Sequence, residues 1–267
     1  MFLSVIIPTC NRNELLAKCL DCLSPEIQEM DIHSYEIIVS DDGKENQAKE
    51  LISEKYPWVT WVEGLKKGPA ANRNNGAKYA KGEWLVFTDD DCLPDRNWLK
   101  AYMQAINNGT VLVYEGYTNA DRPKQRFDEE APINLTGGNL WSCNFSIQKK
   151  FFYELGGFDE NFPYAAMEDV DLEKRISMFQ KIEFVNSAKV IHPWRRIRPF
   201  KSLWKHFRSH QYFRKKNIAK IFQYRVSRVK IFLGSIYYLT SELMKFSLKG
   251  ILFYFEKIIL NFLLIFS

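Results

Sequence analysis

The sequence predicts an α/β fold, with a mostly parallel sheet, helices on both faces and a C-terminal helical tail. In the first 120 residues, short apolar runs alternate with helical patterns. Polar residues directly follow several of these runs, as they do at the carboxyl edge of a parallel sheet, where ligands bind. The charge then changes: residues 1–194 contain 21 Lys/Arg and 30 Asp/Glu, whereas residues 195–267 contain 16 and 2. This asymmetry separates an acidic body from a basic tail.

Each element has a local signal. Apolar, β-branched or aromatic runs predict strands at 4–7, 35–39, 59–62, 84–87 and 111–114. Leucines at helical spacing predict a helix over about 15–23. Further helices are expected after Gly43, ending at about Tyr56, and over 69–80 and 149–155. Glu168 opens a charged helix. The N-terminal apolar run lacks a basic region and a cleavage site, so we interpret it as the first strand and not as a signal peptide.

Three strand ends carry polar side chains. The residues that directly follow the runs are Thr9, Asn11, Asp41, Asp42, Asp89, Asp90 and Asp91. Three consecutive aspartates repel one another, and a divalent cation that also binds substrate phosphates would stabilise them. In an extended segment Asp89 and Asp91 would point to one side and Asp90 away. A solvated acidic turn is the alternative, and no Walker-type phosphate loop is present.

Two other patterns have simple alternatives. Glu168 and Asp169 begin a helix, where the helix dipole favours acidic side chains, so capping explains them as well as catalysis does. The five cysteines are irregularly spaced, and Cys19 and Cys22 lack a second pair at zinc-site spacing. We therefore expect reduced thiols in a cytoplasmic protein.

Seven motifs occur in an order that resembles the family two glycosyltransferases, which are inverting enzymes with the Rossmann-like GT-A fold. They are SVIIPTCNR, EIIVSDDG, GPAANRNNGA, FTDDDCLPDRNWL, GGNLWSCNFSIQ, LGGFDENF and MEDVDLEKR. The resemblance covers about residues 2–194. It implies transfer of a sugar from a nucleotide-diphosphate donor, with Mn²⁺ or Mg²⁺ at a D-x-D motif.

The resemblance also assigns roles to individual residues. It implies that the nucleotide-sugar site contains Pro8, Thr9, Asn11, Arg12, Asp41, Asp42, Arg73, Asn74, Asp89 and Asp90. The metal would be held by Asp89, Asp91 and His192. The acceptor would lie on Gly137, Gly138 and Trp141. Asp169 would be the general base, with Glu168 beside it. Three aspartates in a row leave open whether Asp90 or Asp91 is the principal metal ligand. Arg73 could instead form a surface ion pair, and His192 could be a structural residue before proline.

The expected organisation is a GT-A domain at 1–194 and a tail at 195–267. Within the domain, residues 1–110 would bind the nucleotide sugar and residues 111–194 the acceptor, a glycan or a lipid-linked sugar of polysaccharide biosynthesis. Gln211-x-x-Arg214 is followed by Lys215 where processive synthases of the family carry tryptophan, so we do not expect polymerisation. The alternatives are an inactive membrane-associated adaptor and a sugar nucleotidyltransferase; the latter usually has a glycine-rich N-terminal loop, which is missing here.

The tail has two interpretations. Arg and Lys mix with aromatic residues over 195–230, and 231–266 is strongly apolar with a narrow polar stripe. No nucleic-acid-binding motif is present, so we expect no nucleic-acid partner. Sixteen helical residues from 251 to 266 reach about 24 Å, short of a roughly 30 Å hydrocarbon layer. We expect helices in the membrane interface, at the inner face of the cell membrane; packing on the catalytic domain or in a homodimer is the alternative.

Overall fold

The computed structural model describes residues 1–45, 47–198, 203–217, 221–246 and 248–266. Residues 199–202, 218–220, 247 and 267 of the predicted tail lie outside the described residues. The strands are β1 Leu3–Thr9, β2 Tyr35–Asp41, β3 Val59–Glu63, β4 Trp84–Thr88, β5 Leu93–Pro94, β6 Val113–Asn119, β7 Glu129–Glu130, β8 Asn144–Gln148, β9 Glu183–Ile191 and β10 Arg195–Arg196. The α-helices are α1 Asn13–Cys22, α2 Pro25–Gln28, α3 Lys49–Lys55, α4 Pro69–Tyr79, α5 Trp98–Asn108, α6 Lys149–Glu154, α7 Glu168–Ile176, α8 Leu203–Lys216, α9 Ile221–Phe246 and α10 Ile251–Phe266.

Eight strands form one mixed sheet in the order β3-β2-β1-β4-β8-β6-β9-β5. The predicted parallel pairing is confirmed for β3, β2, β1 and β4. Strand β1 continues through Pro8 to Thr9, although proline lacks an amide donor. Its pairing with β4 ends at Ile6, so Pro8 lies where β1 has β2 as its ladder partner and little pairing is lost.

Helices cover both faces of this sheet, as predicted. Because side chains alternate along a strand, Leu3, Val5 and Ile7 enter one apolar cluster, together with residues of α1, α3 and α5. Ile6 and Ile38 enter the other, with residues of α4, α6 and α7. Strands buried on both faces read as continuous apolar runs, which is why the first four were recognisable in the sequence.

Helix α4 packs closely on β1. A Cβ atom at Gly76 would lie 2.8 Å from Cγ2 of Ile6, so the helix can approach the sheet this closely only with glycine at that position. This close approach keeps the first turn of α4, with Asn72 and Arg73, next to the ends of β1 and β2.

Residues 111–194 differ from the prediction in several places, and β8, Asn144–Gln148, is a strand that was not predicted. Strand β6 begins at Val113 and extends to Asn119, beyond the predicted 111–114. Strand β9, Glu183–Ile191, was not predicted; several of its side chains are exposed, and its pairing with β6 shifts register between Gly116 and Tyr117. An irregular, half-exposed strand has no regular alternation in its sequence, so the pattern gave no signal.

The chain divides into two compact units. The first contains Met1–Asp121, Pro132–Glu160 and Glu168–Pro193. The second contains Arg122–Ala131, Asn161–Met167 and Trp194–Ser267. The predicted helical tail is present in the second unit as α8, α9 and α10.

The second unit has its own small core. Strands β7 and β10 pair in an antiparallel sense, and Phe127 is fully buried against Tyr254 of α10 at a centroid distance of 5.1 Å. Partly buried residues of α9 and α10, including Tyr238 and Leu243, complete this cluster. Among the residues that the structure describes, no helix has both the length and the hydrophobicity needed to cross a bilayer.

Candidate active site

The ends of β1, β2 and β4 meet at one edge of the sheet, as the sequence predicted. Thr9 pairs with Asp41 in the parallel register of β1 and β2. The side-chain amide of Asn72 donates to the carbonyl oxygens of Thr9 at 3.2 Å and of Ser40 at 2.8 Å, which ties α4 to both strand ends. The Thr9 hydroxyl donates to Oδ2 of Asp90 at 2.7 Å, so the loop after β4 joins the same edge.

The three aspartates lie in a turn, and the expectation of an extended segment is wrong. The amide of Cys92 donates to the carbonyl oxygen of Asp89 at 3.1 Å, which closes the turn. As a result Asp89 and Asp91 contact different arginines: Asp89 contacts Arg73, whereas Asp90 and Asp91 both contact Arg12. Three consecutive carboxylates are stabilised here by cations on two sides.

Asp90 is the most deeply buried of the three. Its side chain is fully buried, and Oδ1 lies 2.6 Å from Nη2 of Arg12. Burial raises the pKa of Asp90 to about 7, against the opposing effects of the Arg12 charge and the Thr9 hydrogen bond. Asp90 is therefore held inside the edge by protein groups, and it connects β1 with the turn.

Asp91 and His192 come together through strand pairing. Leu93 of β5 pairs with Ile191 of β9 in an antiparallel register, which places His192 beside Cys92, the neighbour of Asp91. Nε2 of His192 lies 3.3 Å from Oδ1 of Asp91. Nδ1 of His192 lies 3.0 Å from the carbonyl oxygen of Pro193, which can only accept a hydrogen bond. With the proton of a neutral His192 ring on Nδ1, Nε2 would carry the lone pair that a metal uses.

These donors have the chemistry of a divalent-metal site. Ligand atoms of Asp91, Cys92 and His192 lie within 4.8 Å of one another, and all three residues are buried. Burial raises the pKa of Cys92 well above the usual thiol value. The carboxylate oxygen of Asp91 and the imidazole nitrogen of His192 suit a hard or borderline divalent ion.

Arg73 links the aspartate turn to the start of α7. Nη2 of Arg73 lies 2.6 Å from Oδ1 of Asp89, and Nη1 lies 3.6 Å from Oε1 of Glu168. The arginine side chain is only 5% exposed, and its guanidinium lies 5.5 Å from the centroid of the Phe158 ring. A buried guanidinium requires compensating negative charge, and these two carboxylates supply it. The D-x-D and Glu-Asp motifs, 77 positions apart in the chain, therefore meet at one side chain.

Glu168 and Asp169 begin α7 but differ in environment. Glu168 is buried, and burial together with the charge of Asp169 raises its pKa to about 7, while Arg73 opposes the shift. The side chain of Asp169 is half-buried and accepts a hydrogen bond from the amide of Val170 at 2.8 Å. Burial also raises the pKa of Asp169. A carboxylate with a raised pKa is a stronger base than an ordinary aspartate, and Asp169 is the more accessible of the two.

Asp41 and Asp42 hold backbone amides. The carboxylate of Asp41, which is fully buried, accepts hydrogen bonds from the amides of Gly43 at 2.8 Å and Ala48 at 2.7 Å, and from the indole of Trp61 at 3.1 Å. The carboxylate of Asp42 accepts from two amides of the loop before α4. Both residues therefore shape the loops that follow β2 and β3, and their predicted contacts with a nucleotide remain predictions.

Asn74 and Asn11 also bind neighbouring loops. The side chain of Asn74 donates to the carbonyl oxygen of Phe158 at 2.8 Å and accepts from its amide at 2.9 Å. Asn11 has a φ of 55°, a left-handed conformation that asparagine tolerates better than most residues, and its side chain accepts from the amide of Lys44 at 3.2 Å. Both contacts position chain segments around the sheet edge.

The predicted acceptor loop rests on a buried glutamate that sequence reasoning missed. Gly137 and Gly138 have φ values of 87° and 92°, which glycine adopts without strain. Glu115 of β6 is 4% exposed and accepts from the amides of Gly138 at 2.6 Å and Asn139 at 3.0 Å. The indole of Trp141 donates to a backbone carbonyl at 3.0 Å. The only signal for Glu115 was an acidic residue directly after an apolar run.

A family model and several curated proteins match this chain. Residues 4–167 match the family model described as glycosyl transferase family 2. The chain is 30% identical over 175 residues to the GalNAc(5)-diNAcBac-PP-undecaprenol beta-1,3-glucosyltransferase of Campylobacter jejuni, covering 60% of this chain and 55% of the relative. It is 31% identical over 136 residues to glycosyltransferase AglE of Haloferax volcanii, covering 48% and 44%. The chain thus spans about half the length of these curated relatives.

Solved structures show the same fold. S. aureus TarS 1-349 superposes with a TM-score of 0.62 at 18% identity, covering 79% of this chain and 64% of that one. The mannosyltransferase PcManGT from Pyrobaculum calidifontis, in complex with GDP-Man and Mn²⁺, gives a TM-score of 0.57 at 18% identity, covering 79% and 61%. These likenesses confirm the predicted GT-A fold. Since the family model covers more than half of the chain, the chain belongs to glycosyl transferase family 2.

Proposed function

We propose that the chain is an inverting glycosyltransferase that moves a sugar from a nucleoside-diphosphate donor to a hydroxyl group of a glycan or lipid-linked acceptor. One observation carries the proposal: buried Arg73 contacts both Asp89 of the D-x-D motif and Glu168 of the Glu-Asp motif. The groups that suit the leaving diphosphate and those that suit a general base therefore line the same part of the first unit.

In the proposed reaction Asp169 removes the proton of the acceptor hydroxyl. The acceptor oxygen attacks the anomeric carbon, and the bond from that carbon to the diphosphate oxygen breaks, so that the nucleoside diphosphate leaves with the electron pair. Asp169 suits the base because it is half-buried and its pKa is raised above that of an ordinary aspartate. Glu168 cannot take this role as easily, because it is buried against Arg73.

Asp91 and His192 would hold a divalent ion, Mn²⁺ or Mg²⁺, with Asp89 on the same turn. When bound, the ion supplies positive charge that stabilises the departing diphosphate. Of the two aspartates left open by the sequence, Asp91 is the better ligand, because Asp90 is fully buried between Thr9 and Arg12. The Mn²⁺ in the PcManGT complex supports a metal in this fold.

The donor and acceptor classes rest on the relatives. S. aureus TarS has been solved with UDP and with UDP-GlcNAc, which supports a nucleotide sugar as donor. The Campylobacter jejuni relative carries an undecaprenol-linked saccharide in its name, which supports a lipid-linked acceptor. We propose that residues 1–110 bind the donor and residues 111–194 the acceptor, with Gly137, Gly138 and Trp141 under the acceptor.

Donor binding with and without Mn²⁺ tests the proposal. Nucleoside diphosphates and nucleotide sugars would be titrated into the full chain by calorimetry, followed by an assay for hydrolysis or transfer. Asp91→Asn should weaken metal-dependent nucleotide binding at least about tenfold. Glu54→Gln removes an exposed acid of α3 and should leave binding unchanged.

Two results would contradict the proposal. A chain that neither binds nucleotide with Mn²⁺ nor turns over any nucleotide sugar would be an inactive adaptor. A chain that consumes a nucleoside triphosphate and a sugar phosphate would be a nucleotidyltransferase.

A further inference from the structure

Helix α10 is apolar on two sides, and its neighbours in the second unit cover one of them. Phe253, Leu260 and Leu264 are buried. The opposite side consists of large side chains that are 42–70% exposed, namely Leu252, Phe255, Ile259, Phe262, Leu263 and Phe266. These positions recur every three or four residues and form one continuous stripe. The acidic residue of α10, Glu256, is 2% exposed and lies outside the stripe.

Helix α9 extends the exposed apolar surface. Tyr238 stacks on Tyr254 at a centroid distance of 5.5 Å, and Phe232 contacts Phe262 at 5.6 Å. The earlier residue of α9, Phe232, contacts the later residue of α10, Phe262, so the two helices run antiparallel. On α9, the exposed large apolar residues in the described part are Val226, Val229, Ile231, Leu233, Ile236 and Tyr237.

Positive charge lies at one end of this hairpin. Arg225 and Lys230 are exposed on the early turns of α9. The antiparallel packing brings those turns alongside the C-terminal end of α10, where Leu263 and Phe266 are exposed. Residues 195–267 contain 16 Lys/Arg against two Asp/Glu, so the whole segment favours an anionic partner.

We propose that this hairpin face binds the surface of an anionic lipid bilayer. The face is defined by the exposed α10 stripe together with Leu233, Ile236 and Tyr237 of α9. The apolar side chains would enter the boundary between head groups and acyl chains, and Arg225 and Lys230 would contact the anionic head groups. A helix of about 24 Å cannot cross the hydrocarbon layer, so α10 would lie along the surface. An apolar stripe with cations at its edge is complementary to a bilayer, which offers apolar chains beneath negative charge.

Vesicle flotation tests the proposal with the full chain. We expect the wild type to float with vesicles containing about one third phosphatidylglycerol, and at least about tenfold less with pure phosphatidylcholine. Leu252→Glu combined with Ile259→Glu places charge on the stripe and should reduce flotation at least about tenfold. The matched control is Met178→Glu, which changes an apolar residue of the first unit that is 68% exposed and should float like the wild type.

The charge contribution has its own pair of variants. Arg225→Glu combined with Lys230→Glu should lower binding to anionic vesicles about tenfold and flatten its dependence on salt. Lys55→Glu, which reverses an exposed charge on α3, should leave both unchanged. A circular dichroism spectrum and a thermal unfolding midpoint like those of the wild type would show that each variant is folded.

Three outcomes would overturn the proposal. Equal binding to neutral and anionic vesicles would remove the role of the cations. An equal loss of flotation in the Met178→Glu control would show that vesicle binding does not depend on the α10 stripe. A wild type that ignores vesicles and forms a dimer, dispersed by the Leu252→Glu and Ile259→Glu changes, would make the face a protein interface. No readout requires sugar transfer, so the lipid proposal and the proposed function can fail separately.

Discussion

The two units treat charged and apolar side chains in opposite ways. The first buries carboxylates and arginines together at a sheet edge, as at Asp90 and Arg73, and covers both sheet faces with helices. The second buries few residues around Phe127 and leaves large apolar side chains exposed on α9 and α10. Buried charge and exposed apolar surface both cost free energy in an isolated chain. Each unit therefore departs from a simple globular pattern where we propose that it meets a ligand, which is a nucleotide sugar for the first unit and a lipid surface for the second.

The largest expected effect tests the chemistry of the first unit. Asp169→Asn removes the proposed base, so sugar transfer should fall by about 10²–10⁴-fold, while nucleotide binding with Mn²⁺ should stay within about twofold of the wild type. Steady-state kinetics and calorimetry on the same preparation measure both. Sugar transfer at the wild-type rate would refute the role of Asp169 as the general base.

The next effect tests the small core of the second unit. Phe127 is fully buried against Tyr254, so Phe127→Ala should destabilise this unit by about 3 kcal/mol. Hydrogen exchange should then accelerate at the amides of α10 and remain unchanged in β1. Leu252→Ala, at a residue that is 59% exposed, is the control and should change exchange little. Equal acceleration in β1 would mean that the two units unfold together.

A smaller effect follows from the buried charge of Glu168. Because the folded pKa is about 7 and the ordinary value is 4.5, the wild type loses stability as pH rises from about 4.5 to 7. Glu168→Gln stays neutral, so at pH 8 this variant should have a higher free energy of unfolding than the wild type. The difference should vanish near pH 4. Urea unfolding at both pH values measures it, and a variant that is less stable at pH 8 would contradict the raised pKa.

The smallest effect concerns the loop of Gly137 and Gly138. Glu115→Gln replaces an oxygen that accepts backbone amides with an NH₂ group that cannot, which should cost about 1 kcal/mol locally. Hydrogen exchange at Gly138 and Asn139 should accelerate severalfold. Unchanged protection of these amides would show that Glu115 does not hold the loop.

Much of the first unit could be predicted from its sequence, for physical reasons. The parallel strands are buried on both faces, so their apolar runs are continuous, and the polar residues at their ends mark the edge where we propose that the donor binds. The family resemblance pointed to Asp89, Asp91 and Asp169. Local spacing could not give the turn that separates Asp89 from Asp91, because a hydrogen bond from Cys92 fixes it. Glu115 was missed because its partners, the Asn134 side chain and the amides of Gly138 and Asn139, lie 19 to 24 positions away in the sequence.

The second unit was harder to delimit. Its C-terminal helices are visible as apolar and basic stretches, but Phe127 lies in a polar loop of the sequence, and only tertiary packing makes it a core residue. The strand Glu183–Ile191 of the first unit escaped prediction for a related reason: its stability comes from pairing with β6 across an irregular register.

The second unit is assembled from three separated pieces, Arg122–Ala131, Asn161–Met167 and Trp194–Ser267. A swap of C-terminal segments between homologous enzymes would therefore transplant only one of the three and leave the other two with foreign neighbours. Recombination at residue 194 should therefore yield poorly folded chimeras, unless Arg122–Ala131 and Asn161–Met167 are exchanged together with the C-terminal segment. The piece Asn161–Met167 ends directly before Glu168. A chimera that exchanges this piece would therefore have a junction at the first residue of the Glu-Asp pair.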